Sequence, residues 1–176
     1  MNILLGVTGS IAIYKSCDLT RELVKKGHNV QVIMSYTASK WISPDLFTAL
    51  SSQKCYTDDD EGRAGMLHIK LSKKTDLMII APATAHLLSE AANGSSGNLI
   101  NMCLLYKTNN IWIAPAMNPN MYKHPATQRN LEILSSYGYT ILSPVDGETI
   151  CGDNGEGKMI PIPRIVELVQ KVASNK

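Results

Sequence analysis

MNILLGVTGSIAIYKSCDLTRELVKKGHNVQVIM, residues 1–34, reads as strand, turn, helix and second strand in succession. Ile3 to Thr8 is short and apolar and breaks at Gly9-Ser10; Ile11 to Lys26 then carries helix-compatible spacing and stops at Gly27. Asn29 to Met34 (NVQVIM) is rich in β-branched residues, which suit a pleated surface. Two strands joined through a helix make a crossover, and a crossover of about this length pairs its strands in parallel and in the right-handed sense.

The alternation continues outward from that unit. Ser43-Pro44 opens a helix through about Ser51, Leu77 to Ala81 (LMIIA) is a third strand, and His86 to Asn93 and Asn98 to Leu105 read as helices separated by GSSG. Ile111 to Ala114 (IWIA) is a fourth strand, Pro125 to Tyr137 a helix ended by Gly138, Thr140 to Leu142 a fifth strand, and Pro163 to Ala173 a closing helix. Strands that are nearly uniformly apolar belong to a sheet covered on both faces, so the fold class is α/β: a doubly wound, Rossmann-like parallel sheet between two helical layers. Thr57 to Leu67 and Ser143 to Lys158 break the pattern and are expected to be loops. One domain over 1–176 is expected, with no repeat and no linker.

At 176 residues, with 44% hydrophobic and 18% charged side chains, the chain can close a core, and nothing in it has the signature of disorder. A net charge of +2 without a long basic run gives no footprint for nucleic acid or an anionic membrane. The N-terminus lacks the basic start of a signal peptide, and no apolar run reaches the roughly 18–20 residues of a membrane span. Cys17, Cys55, Cys103 and Cys151 form no CxxC pair and stand near no histidine at metal-ligand spacing. A metal site or disulfide framework is therefore not expected; a cytoplasmic protein with reduced thiols is. Met1 and a last helix ending near Lys176 suggest a free-standing protein.

Ligands of such sheets bind beyond the carboxyl ends of the strands, so those ends carry the functional reading. The first turn, Gly6 to Ala12, lacks the Gly-x-Gly of a dinucleotide fingerprint. Gly9 and Ser10 suit either a phosphate at a helix start or a plain cap. The second strand ends in Ser35 and Thr37 where a dinucleotide fold places an acid; hydroxyls there favour a mononucleotide such as FMN over NAD, unless they form a simple polar loop. The third strand runs into A-P-A-T-A-H (81–86), whose small residues let a flat ring approach, as they would in any strand-to-helix turn. The fourth runs into P-A-M-N-P-N-M (115–121), where Asn118 is a neutral donor and acceptor for a substrate carboxylate or a turn residue. Cys151 opens the glycine-rich stretch CGDNGEGKM, either a lid carrying a proton donor or an exposed loop with an incidental thiol. His68, ahead of an alternating I-K-L, is a candidate base or a structural histidine. Asp58 to Glu61 read as a solvated acidic surface or a cation site.

GSIAIYK (9–15), HIKL (68–71), APATA (81–85), PAMNPNMY (115–122) and CGDNGEGKM (151–159), in this order, resemble the flavin-containing cysteine decarboxylases, and among them those acting on 4'-phosphopantothenoylcysteine on the way to coenzyme A. The resemblance spans nearly the whole chain. It implies FMN contacts at Gly9, Ser10, Ile11, Ser35, Thr37, Thr84, Ala85, Ala116 and Met117, a base at His68, substrate binding at Asn118 and Met159, and a proton donor at Cys151. It also implies transient oxidation of the substrate thiol to a thioaldehyde, loss of CO2 and re-reduction, in homotrimers or dodecamers of trimers with His68 supplied across the interface. Peptidyl-cysteine decarboxylases, flavin prenyltransferases and non-catalytic flavin-binding subunits share the fold; the set of His68, Asn118 and Cys151 favours the small-molecule decarboxylases. Two departures stand out: Gly97-Asn98-Leu99 where the family usually has Asn-Asp-Leu, and Lys158 where Arg is more usual, which weakens a bidentate anion grip there.

Overall fold

The computed structural model describes residues 1–107, 109–148, 150 and 152–174. β1 (Asn2–Val7) leads into a 3-10 turn at Ile11–Ile13, opened by the Ser10 hydroxyl, which accepts from the Ala12 N–H at 3.3 Å. That turn passes into α1 (Tyr14–Lys25), so the expected helix begins as a tighter coil. Gly27, at φ +82°, supplies the left-handed step that releases the chain into β2 (Asn29–Met34). β2 pairs with β1 in parallel, from Asn2 opposite Asn29 to Val7 opposite Met34.

The remaining strands are β3 (Tyr56–Thr57), β4 (Leu77–Ala83), β5 (Ile111–Pro115) and β6 (Thr140–Ile141). Together they form one parallel sheet in the order β3-β2-β1-β4-β5-β6. The chain builds outward from β1 to one side, then returns to start β4 on the other. The crevice above β1 and β4 is therefore the switch point where open α/β sheets take ligands. Leu4 and Leu5 are both fully buried although their side chains point to opposite faces, because each face has its own core. Leu5, Val32, Ile79 and Phe47 pack on the side of α1, α3 (Pro44–Ser51) and α10 (Ile162–Ser174). Leu4, Ile33, Met78 and Ile113 pack on the side of α6 (Ala85–Ala92), α7 (Leu99–Tyr106) and α9 (Pro125–Ser136). Burying each such side chain contributes about 1.5–3 kcal/mol. Among the described residues, no helix is long and apolar enough to cross a membrane.

Both expected loops are ordered elements. Residues 57–67 hold α4 (Asp58–Ala64), started by a capping box in which the Asp60 carboxylate accepts from the Thr57 N–H at 2.9 Å. The acidic run sits in the first turn of a helix, where the macrodipole favours negative charge, and this is why it folds rather than frays. His68 lies on α5 (Leu67–Lys74), not on a strand: Leu67 and Leu71, four apart, share the buried side. Residues 143–158 contain an antiparallel hairpin, β7 (Val145–Glu148) and β8 (Asn154–Lys158), with Gly147 opposite Gly155. Two short helices, α2 (Tyr36–Trp41) and α8 (Pro119–Lys123), follow the ends of β2 and β5.

Candidate active site at the strand ends

Two hydroxyls tie the strand ends together, and two more cap the helices that follow. Thr8 Oγ1 donates to the Pro82 carbonyl at 2.7 Å and accepts from the Thr84 N–H at 3.2 Å, locking β1 to β4. Ser10 Oγ donates to the Ala116 carbonyl at 3.2 Å, which draws the β1 turn against the segment after β5. Thr84 Oγ1 caps α6 by accepting from the Leu87 N–H, as Ser35 Oγ caps α2 through Ala38. Gly9 is pressed against α2: a Cβ there would stand 2.5 Å from Thr37 Cγ2, so only glycine lets the turn come this close.

A cavity of about 610 Å³ opens among these ends, lined by Thr8, Gly9, Ser35, Thr37, Thr84 and Ala85. Two acids also face it, and both are committed. Asp58 accepts from the Tyr36 N–H at 3.0 Å and the Leu99 N–H at 2.9 Å, holding α2 and α7 together. Glu90 Oε2 takes amide protons from Asn98 at 3.0 Å and Asn101 at 2.9 Å. With the carboxylates so engaged, the β1, β2 and β4 ends offer hydroxyls and small residues, a surface that accommodates an anion and a flat ring.

Ser10 and Ala116 themselves border a second, smaller cavity, about 140 Å³. The hairpin forms its outer wall, pinned where the Met117 N–H donates to the Gly157 carbonyl at 3.0 Å. Gly157 is indispensable to that seam, because a Cβ would run into the Met117 carbonyl oxygen. Asn118 enters with its side chain oriented: Oδ1 accepts from the Asn120 N–H at 2.8 Å, as an α8 cap, while Nδ2 donates to Asp153 Oδ2 at 2.5 Å. The turn role and a donor facing the cavity therefore coexist in one side chain.

The structure divides the sequence-predicted residues between the two cavities. Gly9, Ser35, Thr37, Thr84 and Ala85 line the larger; Ser10, Ile11, Ala116, Met117, Asn118 and Met159 line the smaller. His68 lines neither. Its Nδ1 is 2.6 Å from Glu61 Oε1, and its backbone N–H donates to Glu61 Oε2 at 2.9 Å. Cys151 lies outside the described residues. Burial pushes the Cys55 and Cys103 thiols up to about 12, and burial followed by the nearby Asp18 charge raises Cys17, so none of the three is poised as a proton donor at neutral pH. Sequence reasoning missed Thr8, Asp58 and Lys15 as parts of the site. Thr8 stood inside the quoted first turn, and Asp58 was hidden within an acidic run that resembles surface.

The Flavoprotein family profile matches residues 1–174. The chain is 42% identical over 172 residues to the coenzyme A biosynthesis bifunctional protein CoaBC of Bacillus subtilis, covering 97% of this chain and 42% of that protein. It thus spans less than half the length of this relative. It is 35% identical over 174 residues to a probable phosphopantothenoylcysteine decarboxylase of Streptococcus mutans, covering 96% of this chain and 97% of that one. A solved structure of a mutant PPC decarboxylase complexed with pantothenoylaminoethenethiol superposes with a TM-score of 0.91 at 27% identity, over 98% of both chains.

Proposed function

We propose that this chain, which belongs to the Flavoprotein family, binds FMN and decarboxylates 4'-phosphopantothenoylcysteine to 4'-phosphopantetheine as a single domain over residues 1–176. The observation that carries the proposal is the pair of cavities at the strand ends, one lined by hydroxyls and small residues, the other entered by Asn118 and bordered by the Ser10–Ala116 bond. The larger cavity has the volume usual for cofactor sites and is lined by hydroxyls and small residues. Gly9, Ser35, Thr37, Thr84 and Ala85 would hold the phosphate and ribityl side, and Ser10, Ile11, Ala116 and Met117 would border the ring. When bound, FMN supplies the electron sink, taking two electrons from the substrate's thiol-bearing carbon and returning them after CO2 has left.

The protein's own work is position and protons. Asn118 Nδ2 donates to the substrate carboxylate in place of Asp153, a neutral grip that does not stabilise the carboxylate so strongly that it cannot leave. Met159, buried in the cavity wall, packs against the substrate's carbon skeleton. Glu61 fixes the proton of His68 on Nδ1, leaving Nε2 to act as the base that takes the thiol proton. His68 lines neither cavity of its own chain; the active assembly is a homo-oligomer, a trimer or a dodecamer of trimers, in which one chain's His68 serves its neighbour's cavity. Cys151 returns a proton in the reductive half.

The test is to incubate the FMN-loaded protein with 4'-phosphopantothenoylcysteine and identify products by mass. Wild type yields 4'-phosphopantetheine. His68→Asn lowers CO2 release by about 100-fold or more, the scale of a lost general base, while Cys151→Ser still releases CO2 and accumulates the unsaturated thiol. Equal loss of CO2 release in both variants overturns the assigned roles.

A further inference from the structure

The smaller cavity carries two cations that the roles above leave unused. Lys15 is the second residue of α1 and Lys158 the last of β8, elements that are distant in sequence, yet both side chains line the space that Asn118 enters. No carboxylate is among the described lining residues, and no salt bridge joins either lysine to a described residue. Lys158 is held in place from below: its Cδ and Nζ lie 3.3 and 3.6 Å from where a Cβ on Gly147 would stand, so the bare backbone of β7 makes the bed for its stem. Burial, and then the charge of Lys158, hold the Lys15 ammonium below its usual range. Two like charges facing one small space, with no carboxylate among its described lining residues, disfavour each other, and a ligand carrying about two negative charges relieves this better than a carboxylate does.

We infer that Lys15 and Lys158 form the subsite for the terminal phosphate monoester of the substrate, and so make the enzyme select phosphorylated over unphosphorylated N-acylcysteines. This rests on the decarboxylase reading. Asn118 meets the carboxylate of the ligand, and the two ammonium groups meet its dianion. The flavin also carries a phosphate, but the larger, hydroxyl-lined cavity takes that one.

The experiment compares kcat/KM of FMN-loaded wild type, Lys15→Met, Lys158→Met and the double variant on 4'-phosphopantothenoylcysteine and on pantothenoylcysteine. Wild type prefers the phosphorylated substrate; each single variant reduces the ratio of the two values by about tenfold, the scale of one charge-assisted hydrogen bond, and the double variant abolishes the preference. In wild type the ratio also falls with added salt. A ratio unchanged in the double variant overturns the inference, and so do variants purified without flavin, which would assign the pair to the cofactor's phosphate. If wild type decarboxylates neither compound, the proposed reaction is wrong, and the pair is judged on equilibrium binding of 4'-phosphopantetheine against pantetheine. There, a preference lost in the double variant supports the subsite, and no preference in wild type rejects it.

Discussion

At the scale of single residues, glycine at position 9 does what no other residue can, since the space for its Cβ is taken by the Thr37 methyl. Gly9→Ala is expected to cost about 1–3 kcal/mol as an overpacking substitution and to weaken flavin retention, because the β1 turn and α2 must part. Thr37→Ser in the same chain removes the methyl and restores part of both; thermal unfolding and flavin absorbance of the purified variants check this, and failure of the second substitution to rescue would place the damage elsewhere. Residues such as Gly9, Ser35 and Asn118 were legible in the sequence because the strand-end rule says where to look. Thr8 was not, because its value lies in a bond to Pro82, 74 positions away, which no local pattern announces.

At the scale of elements, what the sequence could reveal depended on periodicity. The apolar strands and the amphipathic helices declared themselves. The hairpin β7–β8 did not: Gly147, Gly155 and Gly157 strip it of the β-branched signature, while its pairing and its seam with Met117 need those glycines. α4 and α5 were hidden behind an acidic run whose carboxylates prove to be fastenings. Asp58 is the clearest of these, bridging the first N–H groups of α2, 22 positions before it, and of α7, 41 positions after it. Asp58→Ala, which orphans both donors, is expected to lower stability by about 1–3 kcal/mol, with Asp58→Asn intermediate. Denaturant melts measure this, and an Asp58→Ala variant as stable as wild type would show the clasp to be idle.

At the scale of the whole molecule, the order β3-β2-β1-β4-β5-β6 places a crevice over β1 and β4, and the chain fills that crevice from both sides. Hydroxyl-bearing strand ends make one cavity; the segment after β5, with the hairpin laid over it, makes the other. Fold and cavity positions follow from one chain's pattern. The place of His68 does not, because α5 sets it in neither cavity. The central proposal is that the two cavities serve one reaction, in which FMN would supply the electron sink and the substrate's carboxyl group leaves beside Asn118. Release of labelled CO2 from carboxyl-labelled 4'-phosphopantothenoylcysteine, measured with protein stripped of FMN and with the same protein reloaded, tests it most directly. The account predicts release only from the reloaded protein; equal release from both, or none from the reloaded protein, contradicts it.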